Sequence, residues 1–165
     1  MRKLVNLVAA TSLALALLAS QSVVVNAATI VGTIDGGGTA IMTDGMGLTA
    51  FSIHATLFSD HTARGHIDCV DLVGSAPGYP GNVFGAVTSW STNPDGTISL
   101  HVTNGKLVSF PNGLVVPGGL PFTVTIQAYG GAGVGHWTLD VGPVPTSTPI
   151  CIELLTSGRL VARWN

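Results

Sequence analysis

Apolar residues in this chain recur at every second position in short runs, and glycine or proline interrupts each run. Ile98, Leu100 and Val102 are separated by Ser99, His101 and Thr103. Phe122, Val124, Ile126 and Ala128 alternate in the same way within "FTVTIQAY", as do Trp137, Leu139 and Val141 within "HWTLDV". A period of two places one side-chain set on each face of a β-strand. Long Ala/Leu/Glu/Lys segments, which a helical domain needs, are missing beyond the first 27 residues. The expected fold is therefore all-β: a single antiparallel β-sandwich or closed β-barrel domain of about eight to ten strands. Both architectures have the same alternation, so the pattern leaves the choice open.

Turn chemistry places the corners. "TNPDGT" sets Pro94 at the second turn position and Gly96 where φ can be positive, joining "NVFGAVTSW" to "TISLHV". "LLTSGRLVARW" reads as a further hairpin turning at Ser157-Gly158. Exposed edge strands would leave room for pairing into dimers, but nothing selects an oligomeric state.

The N-terminus is organised differently. Arg2 and Lys3 precede the uncharged apolar stretch "LALALLAS", and "VNA" ends at Ala27. This is the layout of a secretory signal peptide over residues 1–27, cleaved between Ala27 and Ala28, with one secreted β-domain over 28–165. Ser20 stands where a lipoprotein signal would need cysteine, so no lipid anchor is expected. Arg2 and Lys3 leave with the leader. The mature chain then has 6 − 2 = 4 basic against 8 acidic side chains, a net charge of −4. The four cations, Arg64, Lys106, Arg159 and Arg163, are scattered in sequence, which excludes nucleic acid and anionic membranes as partners. The partner expected is an extracellular ligand or protein. Cys69 and Cys151 are the only cysteines, and in an oxidising compartment they are expected to form a disulfide.

"AFSIHATLFSDHTARGHIDCVDL", residues 50–72, holds three of the five histidines. Folding it back around Ser59-Asp60-His61 makes paired residue numbers sum to 120. Phe51 then faces Cys69, Ile53 faces Ile67, Ala55 faces Gly65, and Leu57 faces Ala63, all apolar or small. Ser52–Asp68, His54–His66 and Thr56–Arg64 form the outward face. A slip of one residue would spoil both faces. His54 and His66 would stand with Cβ atoms about 5 Å apart. With Asp68 two residues along, these three are the candidate metal ligands, since two imidazoles and a carboxylate suit zinc or copper. The plainer reading is a hydrophilic hairpin face with no metal, and it prevails for want of a fourth ligand. Paired histidines protonating near about pH 6 would loosen such a hairpin.

Other chemistry is poorly provided for. No serine lies in G-x-S-x-G, and Glu153 is the only glutamate. The glycine runs "DGGGT" and "YGGAGVG" precede no helix that could take a phosphate. Trp90, Trp137 and Trp164 read as core or sheet-face residues, and Tyr79 as a loop aromatic. No cofactor and no catalytic residue is expected.

The segments "GMGLTAFSIHA", "ARGHIDCVDL", "VFGAVTS", "FTVTIQAYGGAGVGHWTLDV" and "CIELLTSGRLVARW" together resemble a group of secreted bacterial β-domains with no assigned activity. That group has an early G-x-F-x-F-like strand, a G-H-hydrophobic strand after a hairpin, and a closing glycine-containing hairpin. "AYGGAGVGH" here takes the place of the acidic, proline-containing loop common in that group. The resemblance implies a compact extracellular β-fold and carries over no catalytic residues. The function expected is a secreted, non-enzymatic β-domain that binds a partner or contributes to the cell exterior. The alternatives are a lipocalin- or streptavidin-like small-ligand carrier, a carbohydrate-binding module, and a metal-dependent enzyme on the His54/His66 face.

Overall fold

The computed structural model describes residues 27–42, 47–72, 81–109, 114–115, 119–142 and 148–165. The expected leader over 1–27, but for Ala27, and the loop aromatic Tyr79 lie outside the described residues. Eleven strands are present among the described residues: β1 Ile30–Met42, β2 Leu48–Phe58, β3 Thr62–Asp71, β4 Gly81–Thr92, β5 Ile98–Ser109, β6 Leu114–Val115, β7 Leu120–Ala128, β8 Gly130–Gly131, β9 His136–Val141, β10 Thr148–Leu155 and β11 Arg159–Trp164.

The principal strands pair in chain order, each antiparallel to the next, in the sequence β1-β2-β3-β4-β5-β7-β9-β10, and β10 pairs back onto β1. The result is a closed eight-stranded up-and-down barrel, not a sandwich. β6 extends the end of β5, and β8 pairs with β11. Eight strands enclose an interior just wide enough for side chains to fill. Phe51, Leu57, Ile67, Leu100, Phe122, Trp137 and Leu139 fill it, with the Phe51 and Trp137 rings 5.6 Å apart.

The hairpin expected at Ser157-Gly158 does not form. Ala40 pairs with Leu155 and Met42 with Glu153, while Gly37 pairs with Arg159 and Gly32 with Trp164. β10 and β11 are thus two halves of one kinked strand that runs along β1. At the kink, the Thr156 and Ser157 amides both donate to the Thr39 carbonyl, at 2.9 and 3.1 Å. Gly158 takes φ 77° there. A positive-φ glycine suits a bulge as well as a turn, and that ambiguity misled the sequence reading. With β1 joined on both sides, the barrel leaves no open edge for dimer pairing between its principal strands.

The "TNPDGT" hairpin forms as expected, with Gly96 at φ 85° and its amide donating to the Asn93 carbonyl at 2.9 Å. The β2–β3 register also agrees pair by pair, from Phe51↔Cys69 to Leu57↔Ala63. Their turn places His61 at φ 64°, a conformation uncommon outside glycine. Short turns of this kind close one end of the barrel. At the other end β1 gives way to β2, β3 to β4, β5 to β7 and β9 to β10.

Candidate functional site

The outer wall formed by β11, β1, β2 and β3 brings together Arg64, Arg159, Arg163, His54 and His66. Cross-strand register arranges it as three rows. The first is Arg163, Thr33, Thr56 and Arg64; the second is Val161, Asp35, His54 and His66; the third is Arg159, Gly37, Ser52 and Asp68. Alternation forces this, because the partners of these residues along each strand, such as Ile34, Ile53 and Ile67, are buried in the core.

Asp35 anchors the wall. Its Oδ1 lies 2.5 Å from His54 Nδ1, and its Oδ2 accepts from the Arg163 guanidinium at 2.9 Å. The His54 hydrogen bond, helped by the positive charges of His54 and Arg163, holds the Asp35 carboxyl below its ordinary value near 3.8 against a smaller opposing effect of burial. Holding Nδ1 in this way orients the ring and leaves Nε2 directed away from the bond. A folded-state value below the unfolded one stabilises the protein above pH 3.8, and that stability is lost as pH falls through the folded value. Asp35→Asn is therefore expected to cost roughly 0.5–1 kcal/mol at pH 7, because the groups are well exposed. Urea denaturation at pH 7 and again at about pH 3 checks this; the gap between variant and parent narrows at the lower pH.

The three candidate metal ligands occupy one face, as the register requires, but they turn to different neighbours. His54 goes to Asp35, while the His66 ring sits 6.4 Å from that of Phe84. Asp68 Oδ1 is covered and makes no hydrogen bond among the described residues. No three His, Cys, Asp or Glu side chains among the described residues are grouped to hold a metal ion.

A trough of about 460 Å³ crosses this wall, lined by Asp35, Gly37, Ser52, His54, Arg159 and Arg163 among others. Gly37 lies between Arg159 on one neighbouring strand and Ser52 on the other, so the third row has a gap where a side chain would stand. Sequence reasoning missed Asp35, Gly37, Arg159 and Arg163. The run "DGGGT" hides a strand, and only barrel closure brings residues 159–163 beside it.

A second cluster lies inside the barrel, at the end where β1 gives way to β2 and β3 to β4. Cys69 and Cys151 are both buried and in contact there, the Cys69 thiol hydrogen-bonded to Cys151. The sequence expectation is thus met in placement but not in bonding, since both are free thiols in this structure. That hydrogen bond, then burial, then the negative charge of neighbours that include Glu153 and Asp71, push the Cys69 thiol well above its ordinary range. Thr49 Oγ1 donates to Glu153 Oε2 at 3.0 Å, and Thr49 pairs across strands with Asp71. Glu153 and Asp71 are both buried, which is unusual for carboxyl groups. They were missed because a charged residue in an alternating strand is expected to face outward. A cavity of about 20 Å³ beside Thr49, Cys69, Asp71 and Cys151 has room for about one water. Thr49→Val, which removes the donor to a buried carboxyl, is expected to destabilise by about 1–3 kcal/mol in urea denaturation.

A third constellation runs across β4, β5 and β7. Ser91 Oγ is 2.9 Å from His101 Nε2, and His101 Nδ1 is 3.1 Å from Thr123 Oγ1. Burial lowers the His101 pKa by disfavouring the charged ring. A hydroxyl–imidazole pair begins a nucleophilic triad, but Thr123 occupies the place where such a triad has an acid. Asp140, the cross-strand neighbour of Thr123, hydrogen-bonds Thr138 instead. The tryptophans do not form a flat sugar platform. Trp137 is in the core, and the rings of Trp90 and Trp164 are tilted 47° at 6.1 Å.

Comparison with known proteins found no matching family model, no matching curated protein and no matching solved structure.

Proposed function

We propose that this chain is an exported, non-enzymatic binding protein that meets an extracellular ligand on the outer wall of β11, β1, β2 and β3. The observation that carries this reading is the trough over Gly37. It is an open, concave site of ligand size, with cationic, imidazole and hydroxyl groups converging on it from a rigid, filled barrel. Rigidity matters because side chains on well-packed strands are held in place before a ligand arrives. A lipocalin-like carrier needs an unfilled interior, whereas the described interior is packed with Phe51, Phe122 and Trp137. The interior cluster serves the barrel by joining β3 to β10 through Cys69 and Cys151, which we take to be oxidised in the exported protein.

Protein-observed NMR titration against a library of sugars, small acids, amines and peptides tests the reading. Ligands that perturb the resonances of Ser52, His54 and Arg163 support it. Ligands that perturb only Trp137 and the residues around Cys69 would overturn it in favour of an interior site.

A further inference from the structure

We propose that the trough over Gly37 is an oxyanion site, built to take a carboxylate, sulfate or phosphate carried by a small extracellular ligand. This rests on the outer wall being the ligand-contact face, and it names the chemistry recognised there.

Charge is the first argument. Three of the four cationic side chains after residue 27 (Arg64, Arg159 and Arg163) lie on this one wall of a chain whose acidic residues outnumber its basic ones. Within the trough the only acid is Asp35, and both of its oxygens are already engaged, one by His54 and the other by Arg163. Two arginines against one carboxylate leave the trough positive even with His54 neutral. Asp68 is the nearest other acid in the third row. It lies beyond Ser52, on the side away from Arg159.

Donor supply is the second. The Arg159 side chain makes no hydrogen bond or ion pair among the described residues, so its planar fork is uncommitted. A guanidinium in that state matches a planar carboxylate or one face of a tetrahedral oxyanion with two parallel N–H bonds. Ser52 stands across Gly37 with a hydroxyl that can donate, and His54 is held from behind through Nδ1.

Shape is the third. At Gly37 an added Cβ would come no nearer than 3.5 Å to another group, the Phe51 carbonyl oxygen. Nothing in the packing therefore forbids a side chain at this position, and a gap kept there leaves space between Arg159 and Ser52. The same fact supplies a variant that fills the trough without disturbing the fold, Gly37→Gln.

The test uses the oxidised mature protein and four probes: sodium sulfate, inorganic phosphate, galacturonate and, as the uncharged counterpart of the last, galactose. Resonance shifts at Ser52, His54 and Arg159 are followed by NMR titration. The expected result is saturable binding of at least one of the three anions and none of galactose. Arg159→Gln weakens that binding by about tenfold or more. Gly37→Gln removes it while the thermal midpoint stays within a degree or two of the parent. Galactose binding as well as galacturonate, with the same residues shifted, would overturn the oxyanion assignment and leave the outer-wall reading standing. Anion binding that is indifferent to Arg159→Gln would overturn it too. Should none of the probes and nothing in the wider library shift these residues, the assignment and the reading beneath it both fall.

Discussion

Gly158→Ala is expected to destabilise the barrel by about 3 kcal/mol and to lower its melting temperature by roughly 10 °C. Two effects add. Gly158 has φ 77°, where a Cβ costs about 1–2 kcal/mol in strain. The new Cβ would also fall on the Gly37 carbonyl oxygen and within 2.8 Å of Gly38 Cα, and both are backbone groups that cannot swing aside. Relieving the clash means separating β1 from the kinked strand, which is the seam that closes the ring. Gly96→Ala is the control. Gly96 has a comparable φ of 85°, but an added Cβ there meets nothing within 4 Å, so only the strain remains. Equal losses for the two variants in thermal melts would show that the contact at the seam contributes nothing.

Oxidation of Cys69 and Cys151 is expected to stabilise the protein by about 4 kcal/mol, chiefly by restricting the unfolded chain. The two thiols give up two protons and two electrons to an oxidant such as oxidised glutathione, and mass spectrometry reads the loss of two hydrogens. Because the thiols already touch, little movement is needed to form the bond. β3 and β10 are not neighbours in the ring, so the bond spans the interior instead of linking adjacent strands. Treating the folded protein with reductant should leave the disulfide largely intact, since burial shields it, whereas unfolding followed by reduction should expose it. A protein that melts at the same temperature oxidised and reduced would sink this prediction. The raised Cys69 pKa adds a kinetic expectation. Exchange needs thiolate, so the folded, reduced protein should react slowly with disulfide reagents at pH 7 and faster as the pH rises.

The β2–β3 hairpin was legible in advance because only one register makes both of its faces sensible. Ile53 against Ile67 and His54 against His66 are consistent together, and a single slip would bury a histidine. β10 offered no such lock. "ICIELL" has aliphatic residues in both alternating sets, and the structure turns Ile150, Ile152 and Leu154 outward while Cys151, Glu153 and Leu155 face in. Here a carboxylate goes to the core because Thr49 on β2 is there to donate to it, and that partner is more than a hundred residues away in the chain. The Asp35–His54–Arg163 wall was hidden for a similar reason. His54 could be placed on its own hairpin, but its true partner is on β1, a strand masked by three consecutive glycines. Barrel and sandwich could not be told apart, because closure is a property of one pairing, β1 with β10, and not of the pattern within any strand.

That closing pairing sets an order of events. Thr39 and Ser157, 118 positions apart, bond to one another at the seam. A loop of that length is slow to close, and contacts of such long sequence separation dominate the folding time of β-proteins. No N-terminal portion of the chain can finish the ring, because one side of β1 stays unpaired until residues 153–164 are present. A barrel emerging N-terminus first therefore remains open until β10 and β11 arrive. Residues 153–164 act as the latch that decides when, and in which place, the barrel closes.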